Sequence, residues 1–126
     1  MKDRKNVILC VDDDKETLDL LRIALESGGY KVVTARTAEE GLKRYKAESP
    51  DLLIVDLMME EVDAGTRFVK DLKALGNTAP VFMLSSVGDA LGQQADSSAL
   101  GLAGILQKPI APTPLLATIK ARLAKG

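Results

Sequence analysis

The chain has 126 residues, of which 46% are hydrophobic and 28% charged, and its formal net charge is −1. That length leaves room for one domain with one adequate core, and a near-neutral charge offers no bulk attraction for nucleic acid or an anionic membrane surface. The apolar runs are far shorter than the roughly 20 residues a membrane span needs, and the single cysteine, Cys10, excludes an internal disulfide and fits a reducing cytoplasm.

Strand and helix signals alternate along the chain. Met1 to Asn6 leads straight into an apolar run with no secretory h-region, so no leader is expected. Val7-Ile8-Leu9-Cys10-Val11 reads as a buried strand that runs into Asp12-Asp13, and Cys10 within it reads as a core residue rather than a reactive thiol. Lys15 to Ser27 places Leu18, Leu21 and Leu25 on one helical face, with Asp14 as N-cap and Gly28-Gly29 as the stop. Lys31 to Ala35 is a short β-branched strand. Thr37 then caps a second helix in which Glu40 completes a capping box, Leu42 and Tyr45 face inward, and Ser49-Pro50 ends the run. Leu52-Leu53-Ile54-Val55 leads into Asp56. Phe68, Leu72 and Leu75 mark a third helix closed by Gly76-Asn77. Val81-Phe82-Met83-Leu84 ends on Ser85, a faint helical pattern covers about Asp89 to Leu100, and Ile105-Leu106-Gln107 runs into Lys108-Pro109. The last helix follows Pro114, with Leu116, Ile119 and Leu123 on one face.

Strict alternation of five strands and five helices predicts an α/β domain whose parallel sheet is covered on both faces. Right-handed crossovers leave few topologies, and the flavodoxin-like order 2-1-3-4-5 is the commonest for five strands. One domain over residues 1–126 is expected, without internal repeat, linker or output domain.

In a parallel sheet the C-terminal ends of the strands share one edge, where ligands bind. Asp12, Asp13, Asp56, Ser85 and Lys108 would then meet in one pocket, although they are far apart in the chain. Each has a bland reading by itself. A lone Asp at a strand end is usually a helix cap, a role already taken here by Asp14; Ser85 would be a turn residue and Lys108 a solvated surface lysine. Their joint occurrence argues otherwise. Adjacent acids repel and need a counter-charge, which a bound cation supplies. Three carboxylates, a hydroxyl and an ammonium suit a divalent metal beside a phosphoryl group.

These stretches resemble the receiver domain of the two-component response-regulator family. Val7 to Asp14 is similar to its first strand and acidic pair, Asp51 to Met59 to the segment around its phospho-accepting aspartate, and Ser85 and Lys108-Pro109 to its Ser/Thr and Lys-Pro positions. The resemblance implies that Asp56 is phosphorylated and that Asp12 and Asp13, with Asp56 and the backbone carbonyl of Met58, hold Mg²⁺. It further implies that Lys108 and Ser85 contact the phosphoryl group. It suggests a cytoplasmic signalling phospho-acceptor that promotes its own phosphotransfer and slow autodephosphorylation, not an enzyme acting on other substrates. The chain has no histidine, so the donor is expected to be a separate histidine kinase or histidine phosphotransfer protein, with small acyl phosphates as substitutes. The output is expected to be a downstream protein, or self-association, through the face from Ser85 to Gln107 and the last helix, without nucleic acid or membrane as direct partner. An alternative is a phosphorylation-independent interaction module on the same fold. A haloacid-dehalogenase-type phosphatase is disfavoured, because the fifth residue counted from Asp12 is Glu16 where that pattern has Thr.

The departures from the family pattern are specific. Glu60 stands where a Pro is usual, Ala64 where a Gly is common, and Ile105 where the switch aromatic lies. The stretch between Lys73 and Lys108 has no Lys or Arg and is interrupted by Gly88, Gly92, Gly101 and Gly104. Helix propensity from Ser85 to Gln107 is poor, and that region reads either as an inconsequential surface helix or as a mobile, nearly uncharged surface that orders or pairs when Asp56 is phosphorylated.

Overall fold

The computed structural model describes residues 6–56, 64–85, 102–108 and 110–125. Five strands form one parallel sheet: β1 (Val7–Val11), β2 (Lys31–Ala35), β3 (Leu52–Asp56), β4 (Val81–Ser85) and β5 (Gly104–Gln107). The order is β2-β1-β3-β4-β5, as the alternation predicts. Four helices lie among the described residues: α1 (Lys15–Ser27), α2 (Ala38–Glu48), α3 (Ala64–Ala74) and α4 (Pro112–Lys125). The faint helix expected from Asp89 to Leu100 and the Met59–Gly65 loop, apart from the start of α3, lie outside them.

β1, β3 and β4 are buried along their whole length, which is why their sequences are continuous apolar runs rather than alternating ones. Alternate side chains still go to opposite faces. Leu9, Val11, Leu53, Val55 and Met83 pack with Phe68, Val69 and Leu72 of α3 on one side. Ile8, Cys10, Ile54, Phe82 and Leu84 pack with Leu18, Leu21 and Leu25 of α1 and with Leu115 and Ile119 of α4 on the other. No helix among the described residues is long and apolar enough to cross a membrane.

Local signals set the element ends. Asp14 caps α1 by accepting from the Glu16 N–H at 3.1 Å and the Thr17 hydroxyl at 2.9 Å. The chain leaves α1 through Gly29 at φ +92°, a left-handed conformation that favours glycine. Thr37 Oγ1 accepts from the Glu40 N–H at 3.0 Å, as expected, but Glu40 Oε1 returns to the N–H of Arg36 at 3.0 Å, one residue before the cap. Gly41 lets α2 approach its neighbours: a Cβ there would stand 3.1 Å from the Phe68 ring and from Val11. Ser49 ends α2 in the left-handed region at φ 48°.

One expectation needs correction: Leu75, read as marking the third helix, lies just past its end. Leu75 is 48% exposed; α3 stops at Ala74, and the Leu75 N–H is shared between the Asp71 and Leu72 carbonyls at 3.1 Å each, so the chain has already begun to turn away. The last helix starts at Pro112, ahead of Pro114, because prolines in a first helical turn forfeit no intrahelical bond. Leu116, Ile119 and Leu123 pack against one core cluster, as expected; Ile119 is buried, as is Leu115, which the sequence pattern did not single out, and Leu116 and Leu123 are partly covered.

Candidate functional site

The sheet register assembles the site. Val11 pairs with Val55, so Asp12, one rung beyond, comes beside Asp56 at the end of β3. Asp56 pairs with Leu84, which places Ser85 one rung further along β4. Ser85 pairs with Gln107, and the Ser85 carbonyl accepts from the Lys108 N–H at 2.8 Å, so Lys108 continues the β5 ladder onto the same edge. Asp12 (0%), Asp56 (5%) and Ser85 (2%) are buried, whereas Asp13 is exposed.

Lys108 Nζ lies 3.0 Å from Asp12 Oδ2 and 3.4 Å from Asp56 Oδ1. Burial opposes its charge, yet the two carboxylates outweigh burial and hold the ammonium above the usual lysine range. The Asp12 carboxylate is divided in use. Its Oδ1 accepts from the Asp14 N–H at 2.9 Å, closing an Asx turn. Its Oδ2 is fully buried, and among the described residues the partner found for it is the Lys108 ammonium, in an ion pair. One oxygen each from Asp12, Asp13 and Asp56 lie within 4.8 Å of one another. A buried oxygen met by a cation, in a group of hard carboxylate ligands this close, fits a divalent cation such as Mg²⁺, which takes one or two carboxylates and leaves positions for water and phosphate.

The predicted residues Asp12, Asp13, Asp56, Ser85 and Lys108 thus converge on one edge. Met58, named for its backbone carbonyl, lies outside the described residues, as do Glu60 and most of the face from Ser85 to Gln107. Ile105, expected at the switch position, pairs with Met83 and packs half-buried against the α3-side core. Asp14 is confirmed as a cap, its carboxyl held below the usual range chiefly by the Thr17 hydroxyl. Cys10, as expected, is an interior residue; burial, followed by the Asp12 charge, pushes its thiol up to about 12.

Sequence reasoning passed over Arg36. Its Nη2 donates to the Asp13 carbonyl at 3.2 Å, and it is the first residue beyond β2, on the same edge that singled out the others. A hollow of about 820 Å³, bordered by Tyr45, Asn77 and Arg122, lies at the opposite edge of the sheet, and none of the clustered acids lines it.

Residues 8–120 match the family described as the response regulator receiver domain. The alkaline phosphatase synthesis transcriptional regulatory protein PhoP of Bacillus subtilis is 34% identical over 119 residues, covering 94% of this chain and 49% of that protein. Response regulator MprA of Mycobacterium leprae is 33% identical over 118 residues, covering 94% and 51%. The chain therefore spans about half the length of these curated relatives. Among solved structures, a CheY-like response regulator receiver domain protein of Methanospirillum hungatei superposes with a TM-score of 0.86 at 30% identity, covering 97% of this chain and 96% of that one. Chemotaxis protein CheY4 of Vibrio cholerae gives 0.83 at 28% identity, covering 94% and 98%.

Proposed function

The chain belongs to the response regulator receiver domain family, and on that premise we propose that Asp56 accepts a phosphoryl group from a histidine kinase or histidine phosphotransfer protein. The observation that carries this reading is the single ammonium of Lys108 reaching Asp12 and Asp56 together, 3.0 and 3.4 Å away, with the Asp12 carboxylate fully buried. An Asp56 oxygen attacks phosphorus, the bond to the donor atom breaks, and the leaving group departs with the electron pair. Attacker and phosphoryl group are both negative, so the step needs cations at the equatorial oxygens. Lys108 swings from the carboxylates to one such oxygen, and Ser85 donates to another. Mg²⁺, held by Asp12, Asp13 and Asp56 together with the Met58 carbonyl, would neutralise further charge when bound.

Residues 1–126 form, on this reading, one cytoplasmic receiver domain. It is a signalling phospho-acceptor that loses the group by slow hydrolysis, not an enzyme acting on other substrates. Replacing one charge by about two, with strong new acceptors, changes what the nearby surface binds. The output partner is a protein or a second copy met through the Ser85–Gln107 face and α4. Direct nucleic-acid binding by this domain is not part of the proposal, in keeping with its formal charge of −1.

Incubation with acetyl phosphate and Mg²⁺, followed by intact mass, tests the assignment. Wild type gains one phosphoryl mass and Asp56→Asn, nearly isosteric, gains none. A gain that persists in Asp56→Asn, or no gain in wild type, refutes it; the latter result favours the phosphorylation-independent alternative.

A further inference from the structure

The peptide unit joining Asp13 to Asp14 is held from both ends. Its N–H donates to Asp12 Oδ1 at 2.9 Å, and its carbonyl accepts from Arg36 Nη2 at 3.2 Å. Arg36 is itself fixed at its main chain: the neighbouring Ala35 carbonyl accepts from the Asp12 N–H at 3.0 Å, and the Arg36 N–H donates to Glu40 Oε1 at 3.0 Å. The Asp13 side chain has no such anchor. It is exposed, and no hydrogen bond to its carboxylate is found among the described residues, so what aims it at the cluster is the orientation of the backbone that carries it. We propose that Arg36 is a positioning residue for the metal site: its guanidinium clamps the Asp13 carbonyl and thereby presets the Asp13 carboxylate for a divalent cation.

This rests on the metal reading above. Two effects of Arg36 on a cation oppose each other. Its positive charge repels the metal, while its hydrogen bond reduces the freedom that Asp13 has to lose on binding. The charge is on an exposed side chain, where the high dielectric of water weakens its repulsion. The hydrogen bond is local and charge-assisted, a stronger class than a neutral one. The clamp therefore outweighs the repulsion. Partners that orient metal ligands typically contribute 10- to 100-fold in affinity; here the Asx turn retains half of the constraint, and about threefold to tenfold is expected.

MgCl₂ titrations of the full chain at 0.15 M salt, read by amide chemical shifts or by heat, decide the matter. Arg36→Ala should weaken Mg²⁺ by about threefold to tenfold. Arg36→Lys, which keeps the charge and a donor for this single contact, should bind Mg²⁺ more tightly than Arg36→Ala. At saturating Mg²⁺ the rate of Asp56 phosphorylation by acetyl phosphate should be the same in Arg36→Ala and wild type, with only the half-saturating Mg²⁺ concentration moved. Thermal melts without metal verify that each variant is folded. Equal or tighter Mg²⁺ binding by Arg36→Ala overturns the clamp and leaves charge as the whole effect of Arg36. A wild-type chain that binds no Mg²⁺ overturns the metal reading itself, a distinct result seen before any variant is compared.

Discussion

Replacing Lys108 by Met removes the ammonium while keeping most of the stem that packs against the site. Asp12, fully buried, and Asp56, 5% exposed, then face each other without their shared cation. At an effective dielectric constant near 20, the contacts at 3.0 and 3.4 Å correspond to roughly 5 kcal/mol of attraction each. Desolvation of the three groups offsets much of that gain. Removing one partner of a buried pair costs about 3–5 kcal/mol. The Lys108 side chain retains 20% exposure, so water already screens part of its interaction, and about 2–4 kcal/mol is the expected loss in metal-free protein. Urea unfolding followed by far-UV circular dichroism measures it, since the chain has no Trp. Saturating MgCl₂ should stabilise the variant more than wild type, because the metal no longer competes with an ammonium for the same oxygens. A loss below about 1 kcal/mol, or equal stabilisation of both proteins by Mg²⁺, would refute the view that Lys108 serves as the resting counter-ion of the acids.

Asp13→Ala relieves repulsion within the acidic group, and because Asp13 is exposed the metal-free fold should gain only about 0.5 kcal/mol in urea unfolding; a lower stability would contradict the clustered-acid picture. Ser49→Gly frees the end of α2 from its φ of 48°, and should raise stability by about 0.5–1 kcal/mol, the left-handed penalty less the extra entropy of an unfolded glycine. Stability should fall as pH rises above 9.0, where the Cys10 thiol ionises in the unfolded chain while the native thiol holds its proton to about 12. The slope from that group approaches about 1.4 kcal/mol per pH unit. Lys108, whose native value is raised, acts in the same direction above its ordinary 10.5. Cys10→Ala should flatten the decline between pH 9 and 11 in urea titrations at stepped pH, and an unaltered slope would count against the buried-thiol account.

Much of this fold was legible because its punctuation is local. Asp14, Thr37, Gly29 and Gly76 are read from their own positions, and fully buried strands appear as unbroken apolar runs. The site was legible for a topological reason: one rule, that parallel strands end on one edge, gathers Asp12, Asp56, Ser85 and Lys108 without any knowledge of distances. What escaped depended on where a helix starts or on distant partners. Leu115 escaped because the helix was expected to follow Pro114, whereas it starts at Pro112 and already carries a buried side chain at Leu115. The bond from Arg36 to the Asp13 carbonyl spans 23 residues and ends on a main-chain atom, which carries no side-chain signature. The same is true of Asp51, whose Oδ2 accepts from the N–H of Val7 at 2.8 Å and ties the start of β3 to that of β1.

The complete burial of β1, β3 and β4 has a consequence for strand alignment. Where one face of a sheet meets water, a slip by one residue drives polar side chains inward and is strongly opposed. Here both faces are apolar, and such a slip would exchange Leu9 and Val11 for Ile8 and Cys10, side chains of nearly the same character. Hydrophobic pattern alone therefore distinguishes poorly between alignments in the middle of this sheet. The polar residues at the strand ends do distinguish them: a shift would draw Asp12 or Asp56 into the apolar layer, away from Lys108, at the cost of burying an unpaired charge. The acids of the proposed phosphoryl site thus also act as end-stops for the central strands. A descendant that traded these acids for apolar residues would surrender the marks that keep its strands in step.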